Sequence, residues 1–333
     1  LSPQGLAAAL EAVLGGVRSG PAGALLAEAE ELPHGGGLVL AILASNLPAL
    51  AVQPLWPALA LRRPILLKSP SSEPVFVPAF REALIRREPR LEKAVTSAVW
   101  RGGDERTEAP LLEQASTIIA YGDEPALADL ERRAPGKVVG YGPKTSLAVV
   151  DEAGDLARDV ALFDQRGCLS VAAVYTAGDP REVGERLAED LRKLARRWPP
   201  GPADPAALAA VQQARLEAEM RGLWIANLPV LDGTVLVDPD PAFRPSPGLR
   251  TVRVHPLPDL ERLPAILSPW KGRLQGAALA GEEAWRLAPA LAGLGISRCA
   301  VPGELQSPDV TWHNGGIHPL RALAAQQTQG SSR

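Results

Sequence analysis

Leu38-Val-Leu-Ala-Ile-Leu-Ala44 is an unbroken apolar row, with Gly35-Gly-Gly37 before it and Ser45-Asn-Leu-Pro48 after it. A short continuous apolar run bounded by turn residues has the pattern of a strand covered on both faces. Working outward, similar runs at 64–68, 96–99, 117–121, 137–140, 147–150, 171–176, 223–228, 234–237 and 251–255 read as further strands. Amphipathic segments at 3–15, 73–87, 125–133, 152–163, 180–197, 205–221 and 282–292 read as helices between them. Asp179-Pro180 and Asp204-Pro205 each place an N-cap before a first-turn proline, which is a helix-start signal. Strands and helices in alternation imply an α/β fold of parallel sheets with helices on both faces.

The chain of 333 residues has room for about two domains. A net charge of −3, from 35 basic and 38 acidic residues, excludes a dedicated nucleic-acid binder. Every long apolar stretch is interrupted by proline, glycine or charge, so no membrane span is expected. The segment beginning at Leu1 lacks the cationic start and apolar core of a signal peptide. Cys168 and Cys299 are the two cysteines, too few for a disulfide framework, and they point to a reducing compartment, the cytoplasm. No histidine, cysteine and carboxylate grouping has metal-ligand spacing, so no metal is expected.

Four segments carry groups suited to chemistry. Asn46 follows the first strand, where its amide can hold a developing oxyanion; the same Asn-Leu-Pro turn also reads simply as a helix start. Lys68 ends an apolar strand ahead of Ser69-Pro-Ser-Ser-Glu-Pro74, the place where open α/β sheets bind ligands; the alternative is a solvated lysine. Cys168 lies in Phe163-Asp-Gln-Arg-Gly-Cys-Leu-Ser170 between a helix and a strand. Arg166 beside it is expected to lower its pKa, and Gly167 to open an approach to the backbone. Cys299, inside a short apolar strand, fits a core residue better, so Cys168 is the candidate nucleophile. Val139-Gly-Tyr-Gly-Pro-Lys-Thr-Ser146 reads as a glycine-rich turn between two strands, without a phosphate-binding fingerprint.

The order of these segments resembles the aldehyde dehydrogenase superfamily. Within it, Phe163-Asp-Gln around Cys168 and Pro302-Gly-Glu-Leu-Gln-Ser-Pro-Asp-Val-Thr-Trp-His-Asn-Gly-Gly316 resemble the acyl-CoA reductase family of bacterial luminescence. The resemblance implies a Rossmann-like cofactor domain over residues 1–160 with the return of 304–333, and a second α/β catalytic domain over 161–303. It implies Cys168 as nucleophile, Asn46 as oxyanion donor and Lys68 on the adenosine ribose of a nicotinamide cofactor. It also implies Tyr121-Gly122 near the pyrophosphate, and a homo-oligomer.

Two departures from the superfamily shape the expected activity. Where hydrolytic members carry a glutamate before a glycine pair, this chain has Gly140-Tyr-Gly142. Without that base an acyl-cysteine would persist for reduction. Three residues beyond Lys68, where NAD-selective relatives often carry glutamate, stands Ser71, which tolerates a 2′-phosphate; Arg62 and Arg63 are further candidate partners for it. The expectation is NADP(H)-dependent reduction of an acyl-CoA thioester to an aldehyde, with NAD(H) as the alternative nucleotide and CoA as carrier. Other readings are reduction of an acyl phosphate or of an acyl group delivered by a ligase, or a nucleotide-binding scaffold without turnover. His313 and His318 read chiefly as part of a packed, capped loop.

Overall fold

The run beginning at Leu38 forms β1 (Leu38–Ile42), the central strand of a five-stranded sheet. In the computed structural model, which describes residues 1–324, its companions are β2 (Ile65–Ser69), β3 (Val95–Val99), β4 (Ala115–Tyr121) and β5 (Lys137–Tyr141). The order is β3-β2-β1-β4-β5, and every pairing is parallel. That is the Rossmann order: the chain runs outward from β1 and then returns to its other side. The return leaves a crevice outside the carboxyl ends of β1 and β4. Alternation along β1 divides the core. Val39 and Ala41 pack with Leu55, Leu61 and Leu320 on one face, and Leu40 with Trp100, Leu112 and Leu130 on the other.

This unit comprises Val13–Pro143 and the described residues from Asp309 onward. The returning segment is fastened by Lys137, whose Nζ donates to the Ala322 carbonyl at 2.8 Å, and by Arg63, whose Nη1 donates to the Leu323 carbonyl. Residues 325–333 of the anticipated return lie outside the described residues.

The other unit comprises Leu1–Ala12 and Lys144–Pro308. It begins at Lys144, ahead of the boundary anticipated near residue 160, and it keeps residues 304–308. Its strands are β6 (Thr145–Val149), β7 (Val171–Thr176), β8 (Trp224–Ile225), β9 (Thr234–Val237), β10 (Thr251–Pro256), β11 (Leu274–Leu279) and β12 (Arg298–Ala300). They form one sheet in the order β12-β11-β6-β7-β10-β9-β8, parallel except for the β8–β9 pair. The glycine-rich stretch at 139–146 therefore joins strands of two different sheets, not neighbours in a hairpin.

Helices Pro180–Arg197 and Pro205–Met220 begin where expected, with Asp179 and Asp204 capping Arg181 and Ala206 N–H groups at 2.8 and 3.0 Å. Other expectations are corrected. The strand anticipated at 223–228 shrinks to Trp224–Ile225. The helix anticipated at 282–292 is two short ones, Glu282–Arg286 and Ala288–Gly293, the second opening with Pro289 in its first turn. Strand β11, Leu-Gln-Gly-Ala-Ala-Leu, has weak strand-forming residues and owes its place to complete burial. The helix anticipated at 152–163 is reduced to Leu156–Ala161, because Phe163 turns the backbone left-handed at φ 59°.

Candidate functional site

At the carboxyl edge of the β1–β5 sheet stand five of the residues that the sequence marked in this unit, Asn46, Lys68, Ser71, Tyr121 and Gly122. Asn46 is exposed in the turn after β1. Lys68 is the penultimate residue of β2, opposite Ile42, and Ser71 is exposed in the turn that follows. Tyr121 ends β4, and Gly122 donates its N–H to the Tyr141 carbonyl at 3.2 Å.

Lys68 is not a solvated lysine: it is only 6% exposed. Its ammonium faces the Trp100 ring at 5.7 Å from the centroid and makes no hydrogen bond or ion pair among the described residues. Burial lowers its pKa, and the Glu108 carboxylate opposes that shift. Glu108 is itself held by the Trp100 Nε1–H at 3.1 Å and Arg133 Nη2 at 2.8 Å. The next residue, Ser69, carries a buried hydroxyl without a partner. The two side chains leave β2 on opposite faces of the sheet; of the two, the Lys68 ammonium, with unused donors at this edge, suits the ribose and phosphate oxygens of a nucleotide.

Arg62 and Arg63 are excluded as 2′-phosphate partners. They precede β2, so about 16 Å of strand separates them from its carboxyl end. Arg62 pairs with Glu30 at 3.3 Å. Arg63 spends its guanidinium on the Gly37 carbonyl at 2.9 Å, Ser116 Oγ at 2.5 Å and Thr117 Oγ1 at 3.1 Å. Glu73 does not contest the ribose either, since its Oε1 accepts from the Phe76 N–H at 2.9 Å at the start of helix Phe76–Arg87.

Tyr121 stacks on Tyr141, with ring centroids 4.8 Å apart, and its hydroxyl donates to Gln53 Oε1 at 3.4 Å. Asp123 caps helix Glu124–Arg133 by accepting from the Ala126 N–H at 2.9 Å. A carboxylate thus already occupies the helix terminus that would otherwise attract a pyrophosphate.

Cys168 lies in the other unit, half-buried, just ahead of β7 at the amino edge of that sheet. Phe163, Asp164 and Gln165 before it have φ of 59°, 50° and 60°. Left-handed backbone without glycine costs on the order of 1–3 kcal/mol per residue and persists only where the surroundings impose it. Here they do. Asp164 is buried against Arg250, Oδ1 to Nη2 at 2.7 Å, and Gln165 is buried between the starts of β7 and β10, its amide donating to the Val171 and Thr251 carbonyls at 2.7 and 2.8 Å. Beyond the thiol, Ser146 Oγ donates to the Cys168 carbonyl at 2.7 Å, and Ser170 Oγ donates to Gln306 Oε1 at 2.9 Å.

Gln306 belongs to the Pro302–Gly316 motif and is bound to helix Leu156–Ala161 through Asp159. The Asp159 carboxylate accepts from Gly303 and Gln306 N–H groups at 2.6 and 3.3 Å, while burial pushes its pKa up to about 6.

The expected lowering of the cysteine pKa is reversed. Desolvation pushes the Cys168 thiol up to about 11, against the pull of its own N–H, Lys144 and the Leu169 N–H. The cation acting on the sulfur is Lys144. Arg166 is exposed and donates to the Pro202 carbonyl at 3.0 Å. Cys299, also half-buried, sits on β12 opposite Ala277.

His318 caps helix Pro319–Leu323 with Nδ1 at 3.4 Å from the Arg321 N–H, and its Nε2 lies 2.7 Å from Glu28. His313 tilts against it, ring centroids 4.6 Å apart. Among the described residues no cluster of three or more His, Cys, Asp or Glu groups could hold a metal, and no helix is long and apolar enough to cross a membrane. Trp100, Glu108, Arg133, Gln165 and Arg250 were not marked from the sequence. Only the Phe-Asp-Gln run adjoining Cys168 carried a signal.

The sequence matches the family described as acyl-CoA reductase (LuxC) over residues 28–326. The chain belongs to the LuxC family. Two curated relatives, from Aliivibrio fischeri and Photorhabdus laumondii, are each named long-chain acyl-protein thioester reductase and are each 24% identical over 302 residues. The match covers 86% of the LuxC-family chain described here and 62% of each relative, so the chain spans about 62% of their length. Among solved structures, aldehyde dehydrogenase 21 from Physcomitrella patens aligns with a TM-score of 0.66 at 15% identity, over 88% of this chain and 68% of its own. Lactaldehyde dehydrogenase from Escherichia coli aligns at 0.61 with 18% identity, over 80% and 62%. The LuxC-family chain therefore has an aldehyde-dehydrogenase-like fold.

Proposed function

We propose that the chain reduces an acyl thioester to an aldehyde through an acyl group carried on Cys168, with NADPH as reductant. The observation that carries this reading is a free, half-buried thiol at the head of a buried strand, behind a strained turn. In this reading the β1–β5 unit binds the nucleotide and the β6–β12 unit does the covalent chemistry. Lys68 holds the adenosine ribose, Ser71 admits the 2′-phosphate, and Tyr121 and Gly122 line the crevice.

The chain's own steps begin with Cys168. Its sulfur attacks the acyl carbon as the thiol proton departs, because a thiol with a pKa of about 11 holds little standing thiolate at neutral pH. The Cys168 N–H holds the oxyanion, a donor of a kind worth about 2.7–4 kcal/mol. The carbon–sulfur bond to the carrier breaks, and the carrier leaves as a thiol with the proton that Cys168 lost. Gly140-Tyr-Gly142 offers no carboxylate to activate water, so the acyl-cysteine waits. When bound, the reduced nicotinamide supplies the hydride that converts this acyl group to the aldehyde and frees Cys168. The cytoplasm, which keeps such a thiol reduced, is the proposed location.

The carrier is proposed as CoA; the relatives' name favours a protein thiol as a second reading. Both are thioesters, and one experiment separates them. Protein without nucleotide is mixed with acyl-CoA or with an acylated carrier protein, and thiol release is followed. One equivalent released from acyl-CoA, with acyl mass on Cys168, supports the first carrier. Release from the acyl-protein alone supports the second. Cys168→Ala is expected to lose aldehyde formation by at least about 10⁴-fold while binding NADPH normally; undiminished turnover in that variant sinks the proposal.

A further inference from the structure

We infer that Asp164, Gln165 and Arg250 are positioning residues, a buried mould that fixes the Cys168 loop for attack on the acyl carbon; this rests on the reading of Cys168 as nucleophile. The mould joins two segments far apart in sequence, and both are left-handed without glycine. Phe163–Gln165 is one; Leu249 and Arg250, at φ 51° and 59°, are the other.

The side chains that lock them together are almost wholly inaccessible. Arg250 is 1% exposed and reaches Asp164 Oδ1 through both Nε, at 3.2 Å, and Nη2, at 2.7 Å. Gln165 uses its whole amide. Besides the two bonds it donates, its Oε1 accepts from the Thr251 N–H at 2.7 Å and Ser246 Oγ at 3.2 Å.

The proline-rich stretch from Trp198 closes the mould. Gly201 N–H donates to Asp164 Oδ2 at 3.0 Å, and Arg250 Nη2 donates to the Trp198 carbonyl at 2.9 Å. At Gly201 an added Cβ would lie 2.6 Å from the Leu1 backbone, so the close approach here requires glycine.

Stability alone is a poor reason for such a construction. A buried ion pair is often replaceable by apolar groups of the same shape without loss, and this one leaves Arg250 Nη1 buried with no partner. Strained backbone beside an uncompensated donor marks sites where geometry is selected above stability. What the mould fixes is the point from which the chain reaches Cys168 three residues later. The far side is fixed by Ser146 Oγ on the Cys168 carbonyl and by Ser170 N–H on the Gly167 carbonyl, at 2.7 and 3.0 Å.

The test compares two reactions of the same sulfur in the full chain without nucleotide. Acyl transfer from acyl-CoA requires a set line of approach, whereas alkylation by iodoacetamide does not. Asp164→Asn and Arg250→Lys keep a buried polar partner for each other, the latter with a single ammonium in place of a fork. Single-turnover acylation is expected to fall about 10²-fold in Asp164→Asn, the scale of an ångström's misplacement, with iodoacetamide alkylation and NADPH affinity unchanged in order. Arg250→Lys is expected to fall less, and the double variant no further than Asp164→Asn, since the pair acts as a unit.

A folded Asp164→Asn or Arg250→Lys that acylates at the wild-type rate overturns the inference, as does an equal loss of both reactions. Should both variants fail to fold, Ser246→Ala decides. It removes the hydroxyl that meets Gln165 Oε1, the Thr251 carbonyl and the Gly248 N–H, and is expected to slow acylation about three- to tenfold; no change in it overturns the inference. Wild-type protein that never acylates on Cys168, with either carrier, defeats the parent reading instead.

Discussion

Lys68 and Cys168 reach their positions by opposite means. Lys68 stands on a regular strand in a Rossmann order, and its neighbourhood follows from the end of β2 and the caps of the helices around it. Cys168 stands behind three left-handed residues, held by partners 37 and 86 residues away in sequence. The first arrangement is inherited from the sheet, so substitutions there should change what binds and leave the loop alone. The second is built by tertiary contacts, so substitutions there should change how the sulfur reacts and leave nucleotide binding alone.

The widest effect expected within this contrast is on pH. Burial favours the neutral thiol, so the Cys168 pKa is raised and reactivity grows as pH climbs toward about 11. In a Cys299→Ala background, alkylation should therefore accelerate about tenfold per unit, roughly a thousandfold from pH 7 to 10. Lys144→Met should move the inflection higher. A plateau near the ordinary thiol value would mean that the loop opens in solution, and the contrast would fail.

Next is Lys68→Ala. Losing a charged hydrogen bond of about 1.5–3 kcal/mol should raise the NADPH dissociation constant roughly 10- to 150-fold. Acylation of Cys168 in the absence of nucleotide should not change; parallel losses in titration and acylation would show the two regions to be one. The smallest effect is expected from Ser71→Glu. A carboxylate facing a 2′-phosphate should reduce the ratio of NADPH to NADH affinity about tenfold, and competitive titration of the two nucleotides measures it.

The same contrast explains what was legible in the sequence. Asn46, Lys68 and Tyr121 could be placed at one edge because apolar runs reveal strands and strand ends reveal crevices. Arg62 and Arg63 precede β2, and a strand rises about 3.3 Å per residue, so neither can act beyond its end. Phe163–Gln165 was different. Its residues continue a helical pattern, and nothing local in Phe-Asp-Gln prescribes positive φ; the force comes from Arg250, Thr251 and Gly201. The thiol pKa is hidden from the sequence in the same way, since burial outweighs the charge of neighbours and raises it. Trp100, Glu108 and Arg133 meet around Lys68 from a strand end and two helices, a juxtaposition no spacing rule supplies.

The fastening of Ala322 and Leu323 to Lys137 and Arg63 has a consequence for biosynthesis. The Rossmann-type sheet is fully translated once Tyr141 leaves the ribosome, yet the helix that completes the core on one of its faces is still unmade. About 180 residues separate Pro143 from Ala324, roughly 10–40 s of elongation at 5–20 residues per second. Throughout that interval the core beside Val39 and Ala41 lacks Leu320 and Leu323, and the intervening unit has time to fold before its predecessor in the chain is complete.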